Sequence, residues 1–351
     1  MGFRTTFHAQ PDTRTCLRIA ASTLYRAWLN GKFLAHGPAR APHGFSRVDE
    51  WDLTPLLVTG SNLLAVEVAG YNVNAYSLIN QPSFFQAEVS REGQVLASTG
   101  AGGAPFEAIL LDDRVQKVQR YSFQRPFSEA YRLKPGHDAW RKVPNVRARV
   151  TCAVVAPKRL LPRRAPLPVF ATRQPIRSVS QGSFEVMAQP DILAKLRPRL
   201  AVGTELGGFR EEELDVKPLF DLAQMTMKDA QPLDRPYCPA TAVSLPAGAW
   251  HILDFGTNLT GFVGAHVECR EPVRLYLTFD EILCGNDVDF ERLGCLNAVS
   301  YELAPGAYGI ESFEPYTMRY LKLLSLGGRC EVKGVYLREL ANPDVYEAQF
   351  C

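Results

Sequence analysis

Two carboxylates stand in patterned surroundings: Asp254 in Asp254-Phe255-Gly256-Thr257-Asn258-Leu259-Thr260-Gly261, and Glu281 in Phe279-Asp280-Glu281-Ile282-Leu283. Cleavage of a glycosidic bond needs such a pair, one protonated carboxyl to serve the leaving oxygen and one carboxylate to activate water. Spacing along the chain does not show that the two converge. A second group has the residue types that hold sugars, because a pyranose packs its apolar face on a flat ring while amides take its hydroxyls. These are Tyr71, Asn72, Asn74 and Tyr76, with Trp28 and Trp51. The alternative is that the tyrosines pack a core and the asparagines turn the chain.

Other constellations carry less. Asp287, Asp289 and Glu291 alternate in Asn286-Asp287-Val288-Asp289-Phe290-Glu291 and could crowd a hard cation. They lack the glycine and distant glutamate of a helix-loop-helix calcium site, so a solvated loop and no metal are expected. The histidines at 8, 36, 43, 137, 251 and 266 form no HExxH, and no GxSxG elbow offers a nucleophile. Gly100-Ala101-Gly102-Gly103 lacks the lysine and hydroxyl residue of a phosphate loop and reads as a turn. No cofactor is implied.

Of the 351 residues 46% are hydrophobic and 22% charged, the balance of a folded chain with more than one domain. The 39 basic and 37 acidic side chains leave a formal +2, which gives no electrostatic reason to bind nucleic acid or an anionic membrane. No apolar run approaches the roughly 20 residues that span a bilayer, and Met1-Gly2-Phe3-Arg4-Thr5-Thr6-Phe7 does not open a secretory signal. Cysteines at 16, 152, 238, 269, 284, 295, 330 and 351 have neither CxxC spacing nor a histidine at ligand distance. Mostly buried, reduced thiols in a cytoplasmic protein are expected.

The elements that would position these residues are mainly strands. Residues 16–20 form an apolar run, 24–29 alternate so that Tyr25, Ala27 and Leu29 share a face, and Asn30-Gly31 tolerates positive φ at both central turn positions, so a hairpin returns through Lys32-Phe33-Leu34-Ala35. Further strands are predicted at 62–68 and 83–89. Prolines 162, 166 and 168 mark an extended connector over 157–175. Helical character is confined to 191–196 and 211–228, kept short by Pro198 and Pro218.

Taken in order, several of these stretches resemble the bacterial α-L-rhamnosidases of glycoside hydrolase family 78. The DFGxNxxG turn at 254–261, the (A/D)ExL strand end at 280–283 and Phe313-Glu314-Pro315-Tyr316-Thr317-Met318-Arg319-Tyr320-Leu321 match an accessory sandwich of that family. Met318 departs from it, since Gly-Phe usually precedes Arg-Tyr. The N-terminal half matches the family's jelly roll at Phe3-Arg4-Thr5-Thr6-Phe7, in the YxxxxNG hairpin of 25–31, at His36-Gly37-Pro38, across 60–72, and at Gln81-Pro82-Ser83-Phe84-Phe85-Gln86-Ala87-Glu88. Gln119-Arg120-Tyr121-Ser122-Phe123-Gln124-Arg125-Pro126-Phe127-Ser128-Glu129-Ala130-Tyr131 resembles a stretch between the sandwiches that completes or braces the first.

The resemblance implies an all-β protein of two jelly-roll-like sandwiches. Its expected parts are a sandwich at 1–155, an irregular connector with one or two short helices at 156–235, a second sandwich at 236–345, and at 346–351 the start of a link to an absent catalytic (α/α) barrel. In the family that barrel carries the acid and base of an inverting hydrolase of terminal L-rhamnose. The resemblance therefore assigns no catalytic residue here, makes Asp254, Gly256 and Asn258 turn residues and Glu281 a strand-end group, and names the barrel and a rhamnose-containing glycan or glycoside as partners. Two other readings stay open: a free-standing carbohydrate-binding module, and a scaffold that only docks another domain.

Overall fold

The computed structural model describes residues 1–76, 78–143, 148–200 and 206–346, with the side chains of 198–200 and 345–346 outside the description. The expected interdomain link at 346–351 falls, from 347 onward, outside the described residues. The chain folds as two compact units, Met1–Asp112 with His137–Leu167, and Asp113–Gly136 with Pro168–Cys351.

The first unit is built from two six-stranded sheets. One runs in the order Arg149–Val150, Glu107–Ile109, Gly2–Ala9, Gly60–Ala69, Leu24–Leu29 and Lys32–Gly37. The other runs Arg159–Pro162, Phe45–Asp52, Thr15–Ser22, Phe84–Arg91, Gln94–Ser98 and Ala104–Pro105. Asn30 (φ 54°) and Gly31 (φ 76°) turn the predicted hairpin, since only residues tolerant of the left-handed region close a two-residue loop that follows strand twist. Apolar residues on the strands, among them Leu17, Ile19, Tyr25, Ala27 and Leu64, are fully buried.

The second unit turns on one 21-residue strand, Ala249–Cys269. Its first half pairs with Arg177–Val186 and Tyr316–Leu326, and its second half with Cys330–Glu339 and Gly306–Glu311. The expected turn at Asp254 is instead a bulge inside this strand, where the register to Tyr316–Leu326 jumps between Asp254 and Leu259. The resulting eleven-stranded sheet folds over a core in which Leu253, Leu275, Leu277 and Leu323 meet Ile310, Val332 and Leu337. Alternate residues of the same strands, Trp250, Ile252, Tyr276 and Leu324, point the other way and pack with Leu219 and Phe220. Two-sided burial is why these strands read as continuous apolar runs.

Several expectations are corrected. Glu129–Leu133 does not brace the first sandwich; it runs parallel to Ala298–Leu303 in the second unit. Within the proline-bearing stretch Arg159–Pro162 is an edge strand on Phe45–Asp52, which Pro162 tolerates at its end because an edge leaves amides unpaired. Arg177–Val186 and Met225–Pro236 are long paired strands rather than connector or helix. Pro218 begins the helix Pro218–Ala223, where its missing donor costs nothing, and Pro190–Leu200 runs past Pro198 in its last turn. Of the cysteines described, only Cys269 and Cys330 are buried, facing each other across paired strands, while Cys152, Cys238 and Cys284 are exposed.

Two outcomes test this packing. A Cβ at Gly264 would lie 2.4 Å from the Tyr336 ring and 2.9 Å from the Ile310 carbonyl oxygen. Gly264→Ala is therefore expected to lose about 1–3 kcal/mol in urea unfolding, and an unchanged midpoint would contradict the close approach. In thiol titration the three exposed cysteines should react at once, whereas Cys330, pushed up to about 11 by burial, should react only on unfolding.

Candidate functional site

In the second unit, the carboxylate of Asp254 is fully buried at the bulge. Arg319 grips it with both prongs, Nε to Oδ1 at 2.9 Å and Nη2 to Oδ2 at 3.1 Å. Arg177 Nε donates to Oδ2 at 3.1 Å, and the amide of Gly256 donates to Oδ1 at 2.6 Å. Gly256 has φ 82°, the left-handed conformation that turns its amide back onto the aspartate. Burial alone would raise this carboxyl, but the Arg319 and Gly256 hydrogen bonds and the arginine charges outweigh it and hold Asp254 below the ordinary carboxylate range. Asp254 thus joins the motif at 254–261 to the Arg319-Tyr320 of the later motif.

Glu281 lies past the end of Val273–Asp280 and is bound differently. Arg292 Nη2 donates to Glu281 Oε2 at 2.8 Å and its Nε to Asp280 Oδ1 at 2.6 Å. Asp254 and Asp280 each register with Tyr320 from opposite sides, so the two acidic motifs flank one strand. Glycosidic hydrolysis asks for one carboxyl kept protonated at neutral pH, and an aspartate chelated by two arginines is held in the opposite state. Asn258 is exposed on the bulge. Asp287 binds the buried ammonium of Lys322 at 2.6 and 2.8 Å, which spends the most promising oxygen ligand of the 286–291 stretch. Among the described residues no group of three or more His, Cys, Asp or Glu is arranged to hold a metal.

A third carboxylate, not singled out from sequence, is Glu129. It is completely buried. Its oxygens accept the amides of Phe313 at 2.7 Å and Glu314 at 2.8 Å, the hydroxyl of Tyr316 at 2.8 Å and the hydroxyl of Tyr131. Arg125 lies over the rings of Tyr121 and Tyr316, 4.8 Å from each centroid, and donates to Glu314 and the Pro315 carbonyl. The sequence signal was present, because 119–131 and 313–321 both belong to the family-like pattern, but nothing in either stretch says that they meet.

In the first unit the sugar-type residues separate by role. Trp51 and Trp28 are core residues, 7% and 5% exposed. Trp51 Nε1 donates to Tyr25 Oη at 2.8 Å, which donates to the buried Asp49 at 2.6 Å. Arg141 covers Trp28 at 3.9 Å from the ring centroid. Asn74 Oδ1 accepts the Asn80 amide at 2.8 Å, and Asn72 Oδ1 accepts the Ser83 hydroxyl at 2.9 Å, so both asparagines shape their own loop. The Tyr71 amide donates to Thr23 Oγ1 at 3.1 Å. Tyr76 is the ring this loop presents, 75% exposed, at the rim of a pocket of about 250 Å³. Leu78, Ile79, Pro38, Arg40 and Arg47 line it as well.

No protein-family model matches the sequence, and no curated protein matches it. Solved structures do share its fold. The rhamnosidase of glycoside hydrolase family 78 from Bacillus sp. GL1 superposes with a TM-score of 0.73 at 16% identity, covering 97% of this chain and 53% of that one. The α-L-rhamnosidase of Streptomyces avermitilis, solved with L-rhamnose, gives a TM-score of 0.54 at 17% identity over 97% of this chain and 28% of its own. The chain spans about half the length of the first and just over a quarter of the second. The likeness establishes a fold shared with part of these enzymes.

The Asp254 node predicts an acid-dependent stability. Its folded carboxyl titrates below the unfolded value of about 3.9, so its contribution is complete above that pH and is lost as pH falls through the lower folded value. Thermal unfolding of Asp254→Asn should accordingly show a flatter limb than the wild type below about pH 4. Arg319→Ala should cost about 2 kcal/mol at neutral pH. Parallel acid limbs would remove the carboxylate from the account.

Proposed function

We propose that this chain is the non-catalytic accessory region of an α-L-rhamnosidase-like glycoside hydrolase, its two units packing on an (α/α) barrel and helping to shape the entrance to its pocket. One observation carries the reading: nearly the whole chain follows about half of a rhamnosidase in three dimensions. The state of the carboxylates supports it. Of the pair that could have suggested an autonomous hydrolase, Asp254 is engaged by arginines that fasten strands together, and Glu281 by Arg292 of the turn that follows. On this reading the work of the present residues is positional, and a rhamnose-containing glycan or glycoside is the substrate of the assembled enzyme.

The setting is inferred to be cytoplasmic. The cysteines described are free thiols, as a reducing compartment would keep them, and among the described residues no helix is long and apolar enough to cross a membrane. A second reading, a sugar-binding module in its own right, is favoured by one feature, the exposed Tyr76 beside its pocket.

The purified chain is expected to release no nitrophenol from p-nitrophenyl α-L-rhamnoside. Turnover that disappears in Asp254→Asn or Glu281→Gln would overturn the accessory reading and make the chain an enzyme.

A further inference from the structure

The pocket of the first unit has a composition that narrows its ligand. Its charged lining side chains are Arg40 and Arg47, with no carboxylate among its lining residues. Asp49, whose carboxylate accepts the amide of the lining residue Ala39 at 3.5 Å, is fully buried and paired with Arg163 at 3.1 Å. Arg47 is fixed in place: its Nε donates to the Arg40 carbonyl at 3.3 Å and its Nη1 to the Pro162 carbonyl at 2.9 Å. Two of its five donors are thereby spent on backbone, and the guanidinium keeps its Nη2 donors without a described protein partner. Arg40 is exposed, and its guanidinium makes no ion pair or hydrogen bond among the described residues. Both cations therefore face the pocket without an anion.

Beside them stands a surface suited to a sugar ring. Tyr76 offers an aromatic face, Leu78 and Ile79 continue it, and Thr23, Ser46 and Gln81 supply short polar groups. The loop carrying Tyr76 is braced before any ligand arrives, by the Asn74–Asn80 and Asn72–Ser83 bonds and by the Ala75 amide on the Leu78 carbonyl at 3.0 Å. A rigid aromatic platform stacks a pyranose, and a preset arginine fork recognises a planar carboxylate.

We propose that this pocket binds a saccharide bearing a uronic acid, its ring stacked on Tyr76 and its carboxylate held between Arg40 and Arg47. The inference rests on the glycan-handling reading above for the class of its ligand. It adds that the first unit selects acidic over neutral glycans, and so guides an acidic polymer or side chain toward the assembled enzyme.

Titration calorimetry of the full chain with digalacturonate, and with the same disaccharide as its methyl ester, provides the test. The acid should bind, and esterification should weaken it about tenfold or more, the scale of one charge-assisted hydrogen bond. Arg47→Met and Tyr76→Ala should each weaken the acid about tenfold, Arg40→Ala should reduce it as well, and Tyr76→Phe should retain it. All three positions border solvent, and unchanged unfolding midpoints would show that the variants fold. Equal binding of acid and ester, absence of binding by either, or equal binding of acetate would overturn the proposal. Rhamnoside hydrolysis bears on the accessory reading and leaves this one untouched, so the two can fail separately.

Discussion

A carboxylate with no access to water, Glu129, sets the terms for the second unit. An ionised group taken out of water is costly unless its lone pairs are met by donors, and here the donors come from residues far away in sequence. The amides of Phe313 and Glu314 and the hydroxyl of Tyr316 converge on it, with Tyr131 from its own strand. The stretch from 113 to 136, which belongs to the second unit, carries Glu129 to those donors. The parallel ladder between Glu129–Leu133 and Ala298–Leu303 is the backbone expression of the same attachment.

The Asp254 node repeats the device at the surface of the sheet. There the anion comes from a bulge and the donors from two neighbouring strands, Arg177 on one side and Arg319 on the other. The aspartate, the left-handed glycine and the arginine form one unit, since removing any of them leaves charge or amide unmet. Motif residues that look like chemistry in a linear reading act here as fasteners. That division of labour is in keeping with the accessory role proposed above.

Much of this was legible in the residues. The Asn30-Gly31 hairpin and the strands around residues 16–20, 62–68 and 83–89 follow from local pattern, because turn chemistry and two-residue alternation act over a few positions. The strands at 177–186 and 225–236 were hidden, since the first is largely polar and the second carries Pro232 and Pro236 at the sheet edge; they gain their order from pairing with each other, and the first also from Ala249–Cys269. Glu129 was invisible as a site for the same reason: its partners other than Tyr131 lie more than 180 positions away. Of the sugar-type residues, local sequence could not separate Tyr76, which reaches solvent, from Trp51, which shares its hydrogen bond with Tyr25 in the core.

The claim that one buried carboxylate organises the second unit is tested most directly by amide hydrogen exchange. In the wild type the Phe313 and Glu314 amides should exchange as slowly as the surrounding sheet. In Glu129→Ala both should exchange at least a hundredfold faster, about the loss of one hydrogen bond to a charged group, while amides of Gly2–Ala9 in the first unit keep their protection. Unchanged protection at Phe313 and Glu314 would contradict the account.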